Sequence, residues 1–352
     1  MKGKVLSYLT ALSALILGGC EFRALDYDYI DTAEVNIIAD WSLSGLTVHP
    51  NGHTVMFFPQ DGGGPTLRLS HGDTVSANLP LGMYDVIVFN ETFDDFDCIE
   101  FTGRNSFNDI AAVCSRSELV RSGYRVFEEP DLLASAVIND FEVTEGMVNE
   151  TRAITRARTA ARKAGTRADA GGQLSRQLTW TVRPTPLVHT VRVRVAVQGL
   201  DRVSSTGAYI SGFSQGVYLA TGIPMDAAVT HKLTFTGRHF DDGSATRGWL
   251  DGSFHSFGLA GSGESDTADC GIDFRAVLPD GSTFQDIRSL KGRIRENKTE
   301  FKVSFEIDVG FDDSHQDGPV VIPDVEPPDP PDSGGWQVQV GDWDEEVIPI
   351  SM

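Results

Sequence analysis

Two stretches constrain the fold more than anything else in the chain. In "VRVRVAV", Val191, Val193, Val195 and Val197 alternate with Arg192, Arg194 and Ala196. In "FKVSFEIDV", Phe301, Val303, Phe305, Ile307 and Val309 alternate with Lys302, Ser304, Glu306 and Asp308. Successive strand side chains point to opposite faces, so each stretch builds one apolar and one polar face. That pattern predicts antiparallel strands with one wet side, as in a sandwich, and not βαβ units. Shorter runs of the same kind fall at 35–38, 54–58, 66–70, 84–90, 231–237, 253–260 and 271–278. Turn signals punctuate them: "PNG" at 50–52, "DGGGP" at 61–65, "HGD" at 71–73 and "PDG" at 279–281. The expectation is an all-β chain with two antiparallel β-sandwich domains. One helix is expected over 106–121, with Ser106 as its cap and Asp109 three positions on.

The N-terminus sets the compartment. "MKGKVLSYLTALSALILGGC" carries two lysines, an apolar run, two glycines and then Cys20. This is a secretory signal over residues 1–19, too short to remain as a spanning helix. Small residues before a cysteine form the bacterial lipoprotein cleavage pattern, so Cys20 is the expected acylation site and the outer-membrane lipid the expected partner. Two or more acyl chains hold a protein stably on a bilayer. The formal charge of the whole chain is −21. Such a surface repels nucleic acid and anionic lipid heads, and a nucleic-acid partner is excluded.

Composition shifts divide the rest. Residues 20–33 read as a lipidated tether and 34–150 as a first β-sandwich domain. Residues 151–177 read as a basic, exposed linker or loop with at most transient helicity, because 151–167 hold six basic side chains and no acidic one; a protease-sensitive site or a contact for acidic polysaccharide is the functional alternative. A second sandwich domain is expected over 178–320, then a Pro-rich acidic spacer over 321–335 and a strand-like tail over 336–352.

Nothing in the sequence assembles into a catalytic motif. There is no nucleophile elbow, zinc cluster, P-loop or dinucleotide fingerprint. His49 and His53 flank a turn with no glutamate base between them, and the runs 93–97, 240–242 and 311–313 lack calcium-loop spacing. No enzyme activity, metal or cofactor is expected. Phe213, Tyr218 and Trp249 could line a carbohydrate groove, but core packing is the simpler expectation. Cys98 and Cys114 could form a disulfide in an oxidising envelope compartment. They could equally serve, with Cys270, as small buried apolar residues.

Three segments carry a resemblance. "NLPLGMYDVIVFN" (78–90), "TPLVHTVRVRVAVQGLDRVSSTGAYISGFSQGVYLATG" (185–222) and "GGWQVQVGDWDEEVIPI" (334–350) occur in that order. Together with the lipoprotein signal, they resemble the Bacteroidales lipoproteins related to fimbrillins and the Mfa-like fimbrial anchor and accessory proteins. The resemblance implies two transthyretin-like β-sandwich domains, attachment to the outer membrane by the lipid, exposure at the cell surface, and a role in assembly or adhesion. Fimbrial subunits or surface glycan are the partners it implies. A glycan- or nutrient-binding surface lipoprotein is the alternative.

The tail fits strand addition on physical grounds. Trp336, Val338 and Val340 share one face, and Trp343 resumes the apolar character after Gly341-Asp342. An extended peptide can add to a sheet edge by backbone pairing, with alternate side chains filling pockets.

Overall fold

The computed structural model describes residues 31–119, 125–163, 178–261, 269–299, 303–311 and 318–327. The signal segment, Cys20 and the tail residues Trp336, Val338, Val340 and Trp343 lie outside the described residues.

Before residue 178 the strands are β1 (Thr32–Ala39), β2 (His53–Pro59), β3 (Thr66–Ser70), β4 (Thr74–Pro80), β5 (Gly82–Asn90), β6 (Ile99–Thr102), β7 (Ala111–Cys114), β8 (Ser117–Leu119), β9 (Arg125–Phe127) and β10 (Ala134–Val143). Helix α1 (Glu145–Lys163) follows. After it come β11 (Thr179–Val182), β12 (Thr185–Pro186), β13 (His189–Gln198), β14 (Ser205–Ser214), β15 (Gly216–Tyr218), β16 (Ala228–Leu233), β17 (Phe235–Phe240) and β18 (Arg247–Ser256). The last are β19 (Gly271–Val277), β20 (Thr283–Ser289), β21 (Ile294–Lys298), β22 (Val303–Val309) and β23 (Val320–Val321).

These strands form five sheets, ordered β11-β1-β4, β12-β10-β5-β2-β3, β17-β18-β13-β22-β21 with β23 also on β13, β20-β19-β14-β16-β9-β8, and β15-β7-β6. Most pairings are antiparallel, as the alternating pattern predicts. Four pairings, β1–β11, β13–β22, β13–β23 and β9–β16, run parallel. In four of the sheets, strands from after residue 178 pair with strands from before residue 143.

The chain divides into two compact units. One gathers residues 1–34, 78–81 and 143–178; the other holds the rest. Within the second unit, "VRVRVAV" is the central strand β13, and Val191, Val193, Val195 and Val197 are fully buried. They meet Phe305, Ile307 and Val309 of β22 in one core with Phe213, Leu250, Phe254 and Phe274. Each such side chain contributes about 1.5–3 kcal/mol when fully buried. A second core gathers Met56, Ile87, Phe89, Phe101 and Ile110 with Leu187, Val217 and Phe257. Gly212 shows why glycine is needed where β14 bulges between Ser211 and Phe213. Its φ is +98°, and a Cβ there would stand 2.4 Å from Cys270 Sγ.

In the first unit, α1 replaces the expected loop over residues 151–163. Thr144 starts it, accepting from the Met147 N–H through Oγ1 at 3.4 Å. Met147, Val148 and Thr151 are buried in its first turns. The rest is rich in alanine and arginine, both strong helix formers, so no continuous apolar stripe is required.

Two further expectations are corrected. Residues 106–119, the described part of the expected helix, do not form one. Ser106 to Ile110 form a turn, closed by the Ile110 N–H on Ser106 O at 3.0 Å, and the chain then enters β7 and β8. Pairing of β7 with both β6 and β15 outweighs local helix preference. The start of the expected spacer is also structured. Val320–Val321 pair with β13, Ile322 is buried, Val325 packs on the core, and Asp324 lies 3.2 Å from Arg202.

Candidate functional site

A groove of about 490 Å³ opens beside β10. Its origin is local. "VRPTP" brings β12 alongside β10, where Ala134 faces Pro186 and Ser135 faces Thr185. Pro184 and Pro186 have no N–H to donate, so a longer ladder cannot form there. The chain instead leads back to β11, which pairs with β1. Among the described residues, no strand pairs with β10 beyond Ser135 on this side. Residues 135–138, 181–183, Thr185, Leu187 and 219–222 line the resulting gap.

Asn90 fixes the start of β10. It closes the "NLPLGMYDVIVFN" segment, is buried, donates from Nδ2 to Leu132 O (3.0 Å) and accepts from the Ala134 N–H (2.8 Å). The groove is polar at its base. Ser135 Oγ is buried without a hydrogen-bond partner, and the lining adds Thr181, Thr185 and Thr221. At the rim, Arg183 donates to Asp40 Oδ2 at 3.0 Å. Hydrogen bonds from Ser42, with Arg183 adding to them, hold the Asp40 carboxyl below its usual range.

A second open edge is β3, at the end of its sheet. Leu67 and Leu69 are 38% and 54% exposed. They sit opposite Met56 and Thr54 on β2. Apolar side chains on an unpaired edge strand form a template for another chain.

The other residues singled out in the sequence do not converge. His53 is buried in β2 against Trp41, with ring centroids 5.9 Å apart, while His49 lies 3.2 Å from Asp73. His231 is buried and engages Phe127 O through Nδ1 at 3.2 Å. His239 stacks on Trp249 at 5.0 Å and meets Asp251 at 2.6 Å. Phe213 is core, in contact with Phe254 and Phe305; Tyr218 is half-buried in β15. Among the described residues, no cluster of three or more His, Cys, Asp or Glu side chains could hold a metal ion.

Cys98 immediately precedes β6, and Cys114 pairs with Ile99 across β6–β7. Both stand as free thiols, as does Cys270. Burial, then the hydrogen bond to Glu128, pushes the Cys98 thiol up to about 12; burial, then Cys98, does the same to Cys114. Protonated thiols are poor nucleophiles.

No strand is expected from the sequence at β10, although "ASAVINDFEV" contains three β-branched residues, Val137, Ile138 and Val143, and lies just before "TEGMVNE". The detectable signal was the Pro-x-Pro at 184–186, which forbids a long partner strand.

The sheets and the apolar cores between them define a β-sandwich protein. A candidate adhesin from Bacteroides ovatus ATCC 8483 matches with a TM-score of 0.58 and 16% identity, over 88% of this chain and 99% of that one. The fimbrial anchor protein Mfa2 from Porphyromonas gingivalis matches with a TM-score of 0.46 and 12% identity, over 79% and 90%. No curated protein matches the sequence. The chain belongs to the family described as Domain of unknown function (DUF5119), whose profile matches residues 19–234.

Proposed function

We propose that this protein is a non-enzymatic lipoprotein of the cell surface, held in the outer membrane by acylated Cys20 and acting as a fimbrial anchor, accessory subunit or adhesin. It works through strand addition: the open edge of β10 takes an extended strand, and the segment around Trp336, Val338, Val340 and Trp343 supplies one. The observation that carries this reading is the edge of β10, unpaired beyond Ser135 among the described residues, beside a groove of about 490 Å³. A bound strand would satisfy the backbone groups along Ala136–Ile138 and place alternate side chains in the gap.

Removing residues 334–352 tests it through two readouts, urea unfolding of the monomer and sizing by ultracentrifugation. If the tail pairs with its own body, stability falls by about 3–5 kcal/mol, the usual cost of losing a buried aromatic. If it serves a neighbour, monomer stability is kept and assembly is lost. No change in either would reject the strand role. The buried, unpartnered Ser135 Oγ and the neighbouring threonines favour a second reading, a glycan or nutrient in the same groove. Saturation by a soluble glycan that Ser135→Ala abolishes would select that reading.

A further inference from the structure

Trp249 stands on the outward face of β18, half-buried, while Leu250 beside it points into the core. Across β17–β18 it pairs with His239, and the two rings stack 5.0 Å apart at 16°. That contact accounts for one face of the indole as an ordinary cross-strand pair. The other face looks the opposite way, towards β13, where the residue paired with Trp249 is Ala196. On the far side of β13, Val195 pairs with Val309, and Gly310 follows at a φ of +80°. A Cβ on Gly310 would sit 2.9 Å from Pro319 Cα, so a side chain is not tolerated there. Two neighbouring strands thus offer only a methyl group and a glycine. At about 4.8 Å between strands, they leave an open floor roughly 10 Å wide beside the indole.

Polar groups frame this floor two residues along the strands. Arg194 lies between Asp251 on β18 and Asp308 on β22. It grips Asp308 at two points, Nε to Oδ1 at 2.7 Å and Nη2 to Oδ2 at 2.9 Å, and Arg295 donates to the same carboxylate. Asp251 Oδ1 lies 2.6 Å from His239 Nε2. The Arg194 guanidinium is also 5.1 Å from the centre of the Phe311 ring, which is 42% exposed. Arg194 Nη1 and Asp251 Oδ2 make no hydrogen bond among the described residues. The two arginines and two aspartates balance, so the site presents a donor and an acceptor without excess charge.

We propose that Trp249, the Ala196–Gly310 floor and the Arg194–Asp251 edge bind a neutral sugar ring of a glycan. The C–H face of a pyranose packs on the indole, whose ring face is electron-rich. Its hydroxyl groups take the free donor of Arg194 and the free acceptor of Asp251. Balanced charge selects a neutral, hydroxyl-rich ligand over an anionic one. Stable protein partners bury about 1,000 Å² or more in total, whereas one indole face and one phenyl ring suit one or two sugar rings. The site shares no residue with the groove beside β10, and it stands whether or not that edge receives a strand.

The test is calorimetric titration of the full chain with cellohexaose, maltohexaose, mannohexaose and galactohexaose, and with hexagalacturonate as the acidic counterpart. At least one neutral probe should bind, more tightly than the acidic one and with little dependence on salt. Trp249→Ala should weaken that binding roughly tenfold or more, the size of effect expected from losing one aromatic contact. Ala196→Gln should weaken it as much by filling the floor. That variant leaves the core valines and the Trp249–His239 pair in place, so its loss of binding does not come from unfolding; an unchanged urea midpoint checks this. Trp249→Phe, which keeps an aromatic face, should retain most of the affinity. Failure of every neutral probe to bind, tighter binding of hexagalacturonate, or native affinity in both Trp249→Ala and Ala196→Gln would overturn the assignment.

Discussion

Protonation of His189 is expected to destabilise the fold as pH falls. It opens β13, opposite Ser256, with its ring 6.1 Å from that of Phe305 and its Nδ1 buried without a hydrogen-bond partner. Burial, then the nearby Lys298 cation, lowers its pKa from 6.5 to about 4, against a backbone hydrogen bond at Val303 that acts the other way. The unfolded chain therefore takes up a proton near pH 6.5, and the folded chain only near pH 4. Between those values the unfolded state binds more protons, so stability falls as pH falls. The full loss, reached below about pH 4, is about 3 kcal/mol at about 1.4 kcal/mol per pH unit of separation. Burial lowers the His53 and His231 pKa values too, adding loss of the same sign. The assay is urea unfolding at pH 7, 5.5 and 4 for the native chain and His189→Leu. The variant should lose about 3 kcal/mol less between pH 7 and 4, whatever its stability at pH 7. Equal acid loss in both proteins, or a His189 NMR titration midpoint near 6.5, would refute the reasoning.

Two other outcomes follow from named positions. Gly212→Ala places a methyl 2.4 Å from Cys270 Sγ at a φ of +98°, and should cost about 1–3 kcal/mol in urea unfolding. Cys20→Ser should move the protein from the membrane fraction to the soluble fraction, and mass spectrometry of the mature N-terminus should find acyl chains on Cys20 in the native protein only.

The strands were legible where alternation was strong. "VRVRVAV" and "FKVSFEIDV" gave β13 and β22 because alternate side chains are buried, Val191, Val193, Val195 and Val197 in one and Phe305, Ile307 and Val309 in the other. The pattern could not specify neighbours, so the parallel pairing of those two strands was hidden. "HKLTFTG" read as one strand, but the chain changes sheets at Thr234, with β16 and β17 in different sheets. Helix α1 was missed because only Met147, Val148 and Thr151 are buried, and one buried patch leaves no periodic signal. The groove was illegible for a related reason. It arises from an absent ladder beside β10, set by Pro184 and Pro186 about fifty positions further along the chain.

The central claim is that the edge of β10 receives a strand at the cell surface. A photo-crosslinking residue in place of Ile138, activated on intact cells, tests it most directly, with the captured peptide read by mass spectrometry. The account predicts a crosslink to an extended segment, either residues 336–352 of this protein or the strand of a fimbrial subunit. Capture of glycan alone, or no crosslink from a folded and surface-exposed protein, would contradict it.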